Sequence, residues 1–174
     1  MYGLRKIAKD GRDNNFIWPL EIGAKVEAPF WNCEPPTWHR GIGCLLNAKG
    51  MFGVPNIMGG EYWAVLEFDE KDIIFTGNLD CKVQRCKIVF LSENPEGLLQ
   101  FFDWNNFDSD TAYQWAYHIG NRDIMIGKIL KPEWVYFWAL NIGNKDIMAT
   151  RIKKGQPYYE LFNMVEPIQD VMEF

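Results

Sequence analysis

Hydrophobic and polar positions alternate through much of the first half of the chain, and this pattern predicts β-strands. Residues 2–9 alternate imperfectly up to the turn signal Asp10-Gly11, and residues 16–18 form a short apolar segment that Pro19 ends. The clearest predicted strands are 62–68, rich in β-branched and aromatic residues, and 81–91, which alternates and ends in apolar residues. A shorter strand is predicted at 73–75.

Residues 28–60 interrupt this pattern with closely spaced glycines and prolines. Such a composition predicts a long ordered loop region, and it carries aromatic residues at 30, 31, 38 and 52. Ordered loops of this length are common places for binding residues, but they also serve to cap the edge of a sheet. Both interpretations stay open from the sequence.

After residue 91 the spacing of hydrophobic positions becomes typical of helices, and a repeated sequence segment follows. The segment 92–96 (SENPE) has the composition of a helix start, with a helix expected through residue 102. WAYHIGNRDIM at 115–125 then returns as WALNIGNKDIM at 138–148, with eight of eleven positions identical and a spacing of 23 residues. A spacing of this size is typical of small stacked structural repeats.

Each copy is predicted to be a short helical hairpin, at 110–130 and 132–152. Gly120 and Gly143 are expected to end the first helices with a positive φ, and the asparagine after each glycine to cap the next helix. Trp115 and Trp138 are expected to form the core between repeats, the alternative being an exposed row of binding residues. An eroded third copy, 157–174, would end near residues 170–172 and cap the stack.

These patterns predict an α+β protein. A β-rich N-terminal module, 1–92, containing the loop region 28–60, would pack on a C-terminal stack of helical hairpins, 93–174.

Charge and composition limit the classes of binding partner that are compatible with this sequence. The net charge is −5, with 12 acidic and 11 basic residues in 1–93 but 11 acidic and 7 basic residues in 94–174. This balance argues against nucleic acid or an anionic membrane as partner. The acidic excess indicates a solvated helix face or, alternatively, a docking face for a basic partner. Aromatic residues make up 16% of the chain, which indicates aromatic core layers or a recognition surface.

The four cysteines do not form a recognisable metal motif. Cys33, His39 and Cys44 are spaced C-x5-H-x4-C, which matches no common zinc site. Cys81 and Cys86 are expected on opposite faces of one strand, which makes them poor co-ligands of one ion. Without an apolar leader or membrane span, a cytoplasmic location with reduced thiols is expected, and no metal or cofactor.

No catalytic motif is present. The chain contains no G-x-S-x-G, P-loop or G-x-G-x-x-G sequence, and its two histidines, His39 and His118, have no evident nucleophile beside them. No catalytic residue is therefore predicted.

The segments 28–31 (APFW), 41–46 (GIGCLL) and 62–69 (YWAVLEFD), followed by the repeats, resemble an uncharacterised domain of phage and bacterial proteins. That family has Ala-Pro-x-Trp and Gly-Leu-His-x-Leu-Leu motifs, and some members continue with Ile-Gly-Asn-x-Asp-Ile-Met repeats. The turn and strand are also similar to the core of ADP-ribosyltransferases. That likeness implies that Arg5 holds a dinucleotide. It also implies that Tyr62 or Glu93 takes one of the site positions that the family places later in the sequence. The chain departs from it, with Gly43 at the histidine position and no late E-x-E or Q-x-E glutamate.

The favoured function is a non-enzymatic protein-binding protein of phage or mobile-element type, acting on host machinery, including host defence, by contact. Its expected contact residues are Trp31, Trp38, His39 and Arg40, because tryptophan and arginine often anchor interfaces. The alternative is a nucleotide-binding or ADP-ribosyltransferase-like domain that uses Arg5, Tyr62 and Glu93.

Overall fold

The computed structural model describes residues 1–13, 16–34, 40–50, 52, 55–75 and 80–168, and the chain divides into two compact units. The N-terminal unit is Met1–Asn106 and the C-terminal unit is Phe107–Phe174. The predicted α+β class with a β-rich N-terminal part is confirmed. The boundary lies after Asn106 instead of residue 92, since Phe101 makes edge contacts with Tyr2 and Phe90 of the sheet.

The described strands of the N-terminal unit form one large antiparallel sheet and one hairpin. The strands are β1 (Tyr2–Ile7), β2 (Arg12–Asp13), β3 (Phe16–Ile17), β4 (Lys25–Glu27), β5 (Ile42–Leu46), β6 (Tyr62–Glu67), β7 (Ile74–Phe75), β8 (Asp80–Val83) and β9 (Arg85–Ser92). Seven of them form the sheet in the order β4-β9-β6-β1-β5-β8-β7, and β2 pairs with β3. All recorded pairings are antiparallel.

Helices are short throughout. The N-terminal unit contains α1 (Pro55–Met58) and 3-10 turns at Glu70–Asp72, Leu98–Phe101 and Trp104–Asn106. The C-terminal unit contains α2 (Ser109–His118), α3 (Arg122–Met125) with a 3-10 turn at Ile126–Lys128, α4 (Pro132–Asn141), α5 (Lys145–Ala149) and α6 (Tyr159–Met164). None of the helices in the described ranges is long and apolar enough to cross a membrane.

The predicted loop region 28–60 is interrupted by β5 and α1, so this part of the prediction is wrong. β5 lies inside the sheet between β1 and β8. Gly43 lies within this strand next to α1, and an added Cβ there would be in ordinary van der Waals contact with Ile57, at 3.4 Å. The glycine that indicated a loop therefore lies in the interior of a sheet.

The predicted single strand at 81–91 is two strands separated at Gln84. β8 pairs with β5, whereas β9 pairs with β6 and β4. The break changes which side chains share a face, so Cys81 and Cys86 both belong to the same buried cluster, contrary to the prediction of opposite faces. Alternation continues across the break in the sequence and therefore did not reveal it.

The predicted helix beginning at 92–96 is instead a side-chain-stabilised turn. Ser92 Oγ accepts a hydrogen bond from the Asn94 backbone N–H at 3.0 Å, and Asn94 Oδ1 accepts one from the Glu96 N–H at 2.9 Å. Gly97 has φ +87°, and only the 3-10 turn Leu98–Phe101 follows. Serine and asparagine stabilise such turns as readily as helix starts.

The C-terminal unit is built from the predicted repeats. Trp115, Trp138, Met125 and Met148 are fully buried. Helix α2 packs against α3 and α4, and α4 packs against α5 and α6. The equivalent positions of the two copies therefore fill the core.

The corner of each hairpin is a glycine–asparagine pair, and both residues have positive φ. Gly120 and Gly143 have φ +119° and +115°, and Asn121 and Asn144 have φ +54° and +55°. The prediction that these asparagines cap the next helix through their side chains is wrong. Asn121 Oδ1 instead accepts a hydrogen bond from Trp115 Nε1 at 2.9 Å. Asparagine suits this corner because it tolerates the left-handed region.

The third copy is shorter in the described residues. Phe162 of α6, which is 24 residues after Trp138, is buried at 3% exposure and takes the equivalent place. Residues 170–172, where the third copy was predicted to end, lie outside the described residues.

The Gly143→Ala variant is expected to lose about 1–2 kcal/mol of stability, since an L side chain is strained at this φ. An added Cβ at Gly143 would contact nothing within 4 Å, so the effect is conformational. Gly127→Ala is the matched control, because its Cβ also meets nothing within 4 Å and its φ is not in the positive range. Thermal denaturation of both variants measures the difference. Equal melting temperatures would argue against a conformational role for Gly143.

Candidate functional site

Two of the four predicted contact residues in the N-terminal unit lie together. Trp31 and Arg40 line an open pocket of about 520 Å³ with Pro29 and Phe30. The Arg40 carbonyl accepts a hydrogen bond from the Asn32 N–H at 3.4 Å, and Phe30 is 61% exposed. Trp38 and His39 lie outside the described residues.

Trp31 is also part of the packing that holds this loop on the sheet. The fully buried Lys82 of β8 donates from Nζ to the Glu34 carbonyl at 2.9 Å, and its Nζ lies 5.8 Å from the centre of the Trp31 ring. Burial lowers the pKa of Lys82. Because Trp31 contributes to the environment of a buried lysine, its substitution would disturb the loop as well as any contact surface.

Arg5, the residue expected to hold a dinucleotide in the nucleotide alternative, is buried in the N-terminal unit. Arg5 of β1 is 4% exposed and donates to the Gly43 carbonyl at 3.0 Å and to the Asp13 carboxylate at 2.7 Å. Its guanidinium also lies 4.4 Å from the centre of the Trp18 ring. Burial lowers the pKa of Arg5, whereas Asp13 opposes this change. The guanidinium therefore serves the interior of the N-terminal unit.

Tyr62 and Glu93 lie near the end of β1 that follows Arg5. Tyr62 pairs with Ile7 in the sheet and is partly buried, and Glu93 forms an exposed ion pair with Lys9 at 2.7 Å. That pairing raises the pKa of Lys9. Exposed pairs of this kind contribute little and are common on protein surfaces.

The C-terminal unit carries an extended row of aromatic rings, which we term the aromatic seam. It consists of Tyr117, Tyr113, Trp134, Phe137, Tyr136 and Tyr158, in order of contact. Consecutive ring centroids are 4.7 to 5.9 Å apart. These separations are within the range of favourable aromatic pairs, so each ring supports the next.

The repeat architecture positions the seam. Tyr113 and Tyr117 are four residues apart on α2 and therefore share one face of that helix. α4 contributes Trp134, Tyr136 and Phe137 and packs against α2 and α6. The seam thus crosses from one repeat to the next.

Exposure varies along the seam. Tyr117 is 50% exposed and Tyr158 is 36% exposed, whereas Tyr113 is buried at 7%. The three rings contributed by α4 are partly buried. Leu140, at 42% exposure, adds a further exposed apolar side chain on α4.

Hydrogen bonds fix the orientation of two seam rings. The Asn141 side-chain N–H donates to the Tyr113 hydroxyl at 2.8 Å, and the Trp134 indole N–H donates to the Asp110 carboxylate. Burial raises the pKa of Tyr113, so its hydroxyl stays protonated and neutral at physiological pH. A preoriented, uncharged aromatic surface loses little side-chain entropy when a partner covers it.

One end of the seam forms an open groove of about 320 Å³ with a mixed lining. The groove is lined by Tyr113, Gln114, Tyr117, His118, Trp134, Phe137 and Asn141. Aromatic walls with a polar rim have the composition of protein interfaces. Within the described ranges, no group of three or more His, Cys, Asp or Glu side chains could hold a metal ion.

Sequence reasoning missed the seam because it attended to positions that the copies share. The identical tryptophans and methionines, Trp115, Trp138, Met125 and Met148, are buried. Most seam residues occupy positions where the copies differ, for example Tyr117, which aligns with Leu140.

No protein-family model, curated protein or solved structure matches this chain.

Proposed function

We propose that this chain is a non-enzymatic protein-binding protein and that the aromatic seam is its main contact surface. The observation that carries the proposal is the row of six touching aromatic rings across the C-terminal unit, five of which remain at least partly exposed. Tyrosine and tryptophan are the residue types most enriched among residues that dominate binding energy.

Core packing does not account for the exposed part of the seam. Trp115 and Trp138 already fill the core and are fully buried. Tyr117 is half exposed and contacts Tyr113 and His118 at the surface. A contiguous exposed apolar surface in a folded unit is a common property of interaction sites.

The nature of the partner rests on the resemblance to phage and bacterial proteins. We propose a bacterial host protein as the partner, a cytoplasmic location, and inhibition of host machinery, including defence, by direct contact. The pocket formed by Phe30, Trp31 and Arg40 is proposed as a second, smaller contact region.

A capture assay with matched variants tests the proposal. Tyr117→Ser removes an exposed seam ring and is expected to leave the fold intact while reducing retention of a specific bacterial protein at least about tenfold, as loss of a dominant interface residue does. Leu130→Ser is the control in the same unit, because Leu130 is 69% exposed and outside the seam. The readout is the amount of that protein retained by each variant on immobilised full-length chain.

The control is expected to retain the same protein at the wild-type level. Equal retention of that protein by Tyr117→Ser and Leu130→Ser would mean that the seam is not the contact surface. Transfer or hydrolysis of NAD by the purified chain would favour the nucleotide alternative instead.

A further inference from the structure

Two buried cysteines face each other across the sheet of the N-terminal unit. Cys44 of β5 and Cys81 of β8 are register partners. Both are fully buried, and their Sγ atoms are 3.5 Å apart. All four cysteines of the chain are described, and all are free thiols.

The backbone geometry around this pair is compatible with a disulfide. Directly opposed residues of antiparallel strands have Cα atoms about 4.5–5.5 Å apart. A disulfide requires Cα atoms about 4.4–6.8 Å apart and a sulfur separation near 2.05 Å. Rotation of the two side chains can therefore bring the sulfurs together without separating β5 from β8.

We propose that Cys44 and Cys81 are a redox-sensitive pair that closes to a reversible disulfide when a small two-electron oxidant, such as hydrogen peroxide, reaches them. One thiol attacks the peroxide, releases water and becomes a sulfenic acid. The second thiol attacks that sulfur, the S–S bond forms, and a second water leaves. Two thiols and one peroxide thus give one disulfide and two waters. A dithiol reductant reverses the step and is itself oxidised to its disulfide.

The resting pair is protected from oxidation. Contact with Cys81 and burial raise the pKa of Cys44 well above its usual range. Because the thiolate is the reactive form, the closed sheet reacts slowly. β8 is next to the two-residue edge strand β7, and short edge strands open readily, which gives the oxidant a route to the pair.

The disulfide would act as a clamp within the N-terminal unit. It would close the chain from β5 to β8, a segment that includes the interior strand β6. A cross-link over a segment of this length restricts the unfolded chain and raises stability. Oxidation is therefore expected to increase the melting temperature by on the order of 10 °C and dithiothreitol to restore the original value.

The test is peroxide treatment of the folded full-length chain, followed by alkylation and peptide mapping. Cys33 is exposed and serves as the internal control for oxidant exposure. We expect a cross-linked peptide that joins Cys44 to Cys81 and an intact mass lower by two hydrogens for that bond. Cys86→Ser, which removes the third buried thiol, is expected to leave the cross-link unchanged.

The wild-type mapping decides the result even if Cys44→Ser or Cys81→Ser fails to fold. Two results would overturn the proposal. One is retention of both thiols at a peroxide dose that fully oxidises Cys33. The other is a cross-link from Cys44 or Cys81 to another cysteine in place of the predicted bond.

Discussion

Trp138→Ala is expected to cost about 3–5 kcal/mol and to unfold the C-terminal unit at temperatures where the wild-type chain is folded. Trp138 is fully buried on α4, the helix that packs against α2, α5 and α6. Removing the indole leaves a cavity at the centre of these contacts. Because repeat units depend on their neighbours for stability, the effect should spread through the unit.

Thermal denaturation followed by circular dichroism at helical wavelengths measures this effect. Leu140→Ala on the same helix is the control, since Leu140 is 42% exposed, and its melting temperature should change little. Trp138→Phe should cost less than Trp138→Ala because the phenyl ring fills part of the cavity, and the indole N–H that it removes has no hydrogen-bond partner among the described residues. If Trp138→Ala has the same melting temperature as Leu140→Ala, Trp138 is not a core residue of the repeats.

Asp13→Ala is expected to destabilise the N-terminal unit by on the order of 3 kcal/mol, because it leaves a buried guanidinium without its carboxylate. Arg5 and Asp13 form a 2.7 Å ion pair with side chains 4% and 32% exposed. The partial exposure of Asp13 places the expected cost at the lower end of the range for buried pairs.

Chemical denaturation of the purified variants measures this loss. Arg5→Met is expected to cost less than Asp13→Ala, since it removes the buried charge and leaves a carboxylate that solvent reaches. Asp69→Ala is the surface control, because the Asp69–Lys71 pair is 3.6 Å long with both side chains more than 70% exposed, at 72% and 78%. A loss for Asp13→Ala no larger than that for Asp69→Ala would contradict a stabilising role for the buried pair.

The repeats could be predicted from the sequence because their pattern is local. Gly143 and Trp138 are separated by only five residues, and helix geometry alone relates them. The left-handed corner required glycine, and the 23-residue spacing made the second copy recognisable. The asparagine side chain was misassigned because the same residue type favours both helix caps and left-handed backbone.

The sheet was harder to predict because its pairings are long-range. Gly43 indicated a loop, yet it lies in β5 and pairs with Lys82, 39 positions later. The break at Gln84 is equally hidden, since only the different partners of β8 and β9 reveal it. Strand partners depend on burial on both faces, which a single sequence does not specify.

The proposed contact surface was partly predictable. The sequence indicated Trp31 and Arg40, which do share a pocket. It did not indicate Tyr117 or Tyr158, because their proximity to Trp134 and Tyr136 depends on how hairpins stack. A surface shared by several repeats follows from packing and not from the spacing of any one motif.

Hydrogen–deuterium exchange of the full chain, with and without the protein that it captures, tests the central claim most directly. The account predicts that binding slows exchange in the segments that carry the seam, 113–118, 134–141 and the residues around Tyr158, and leaves β2 and β3 unchanged. Protection confined to the N-terminal unit, with exchange in the seam segments unaltered, would contradict it.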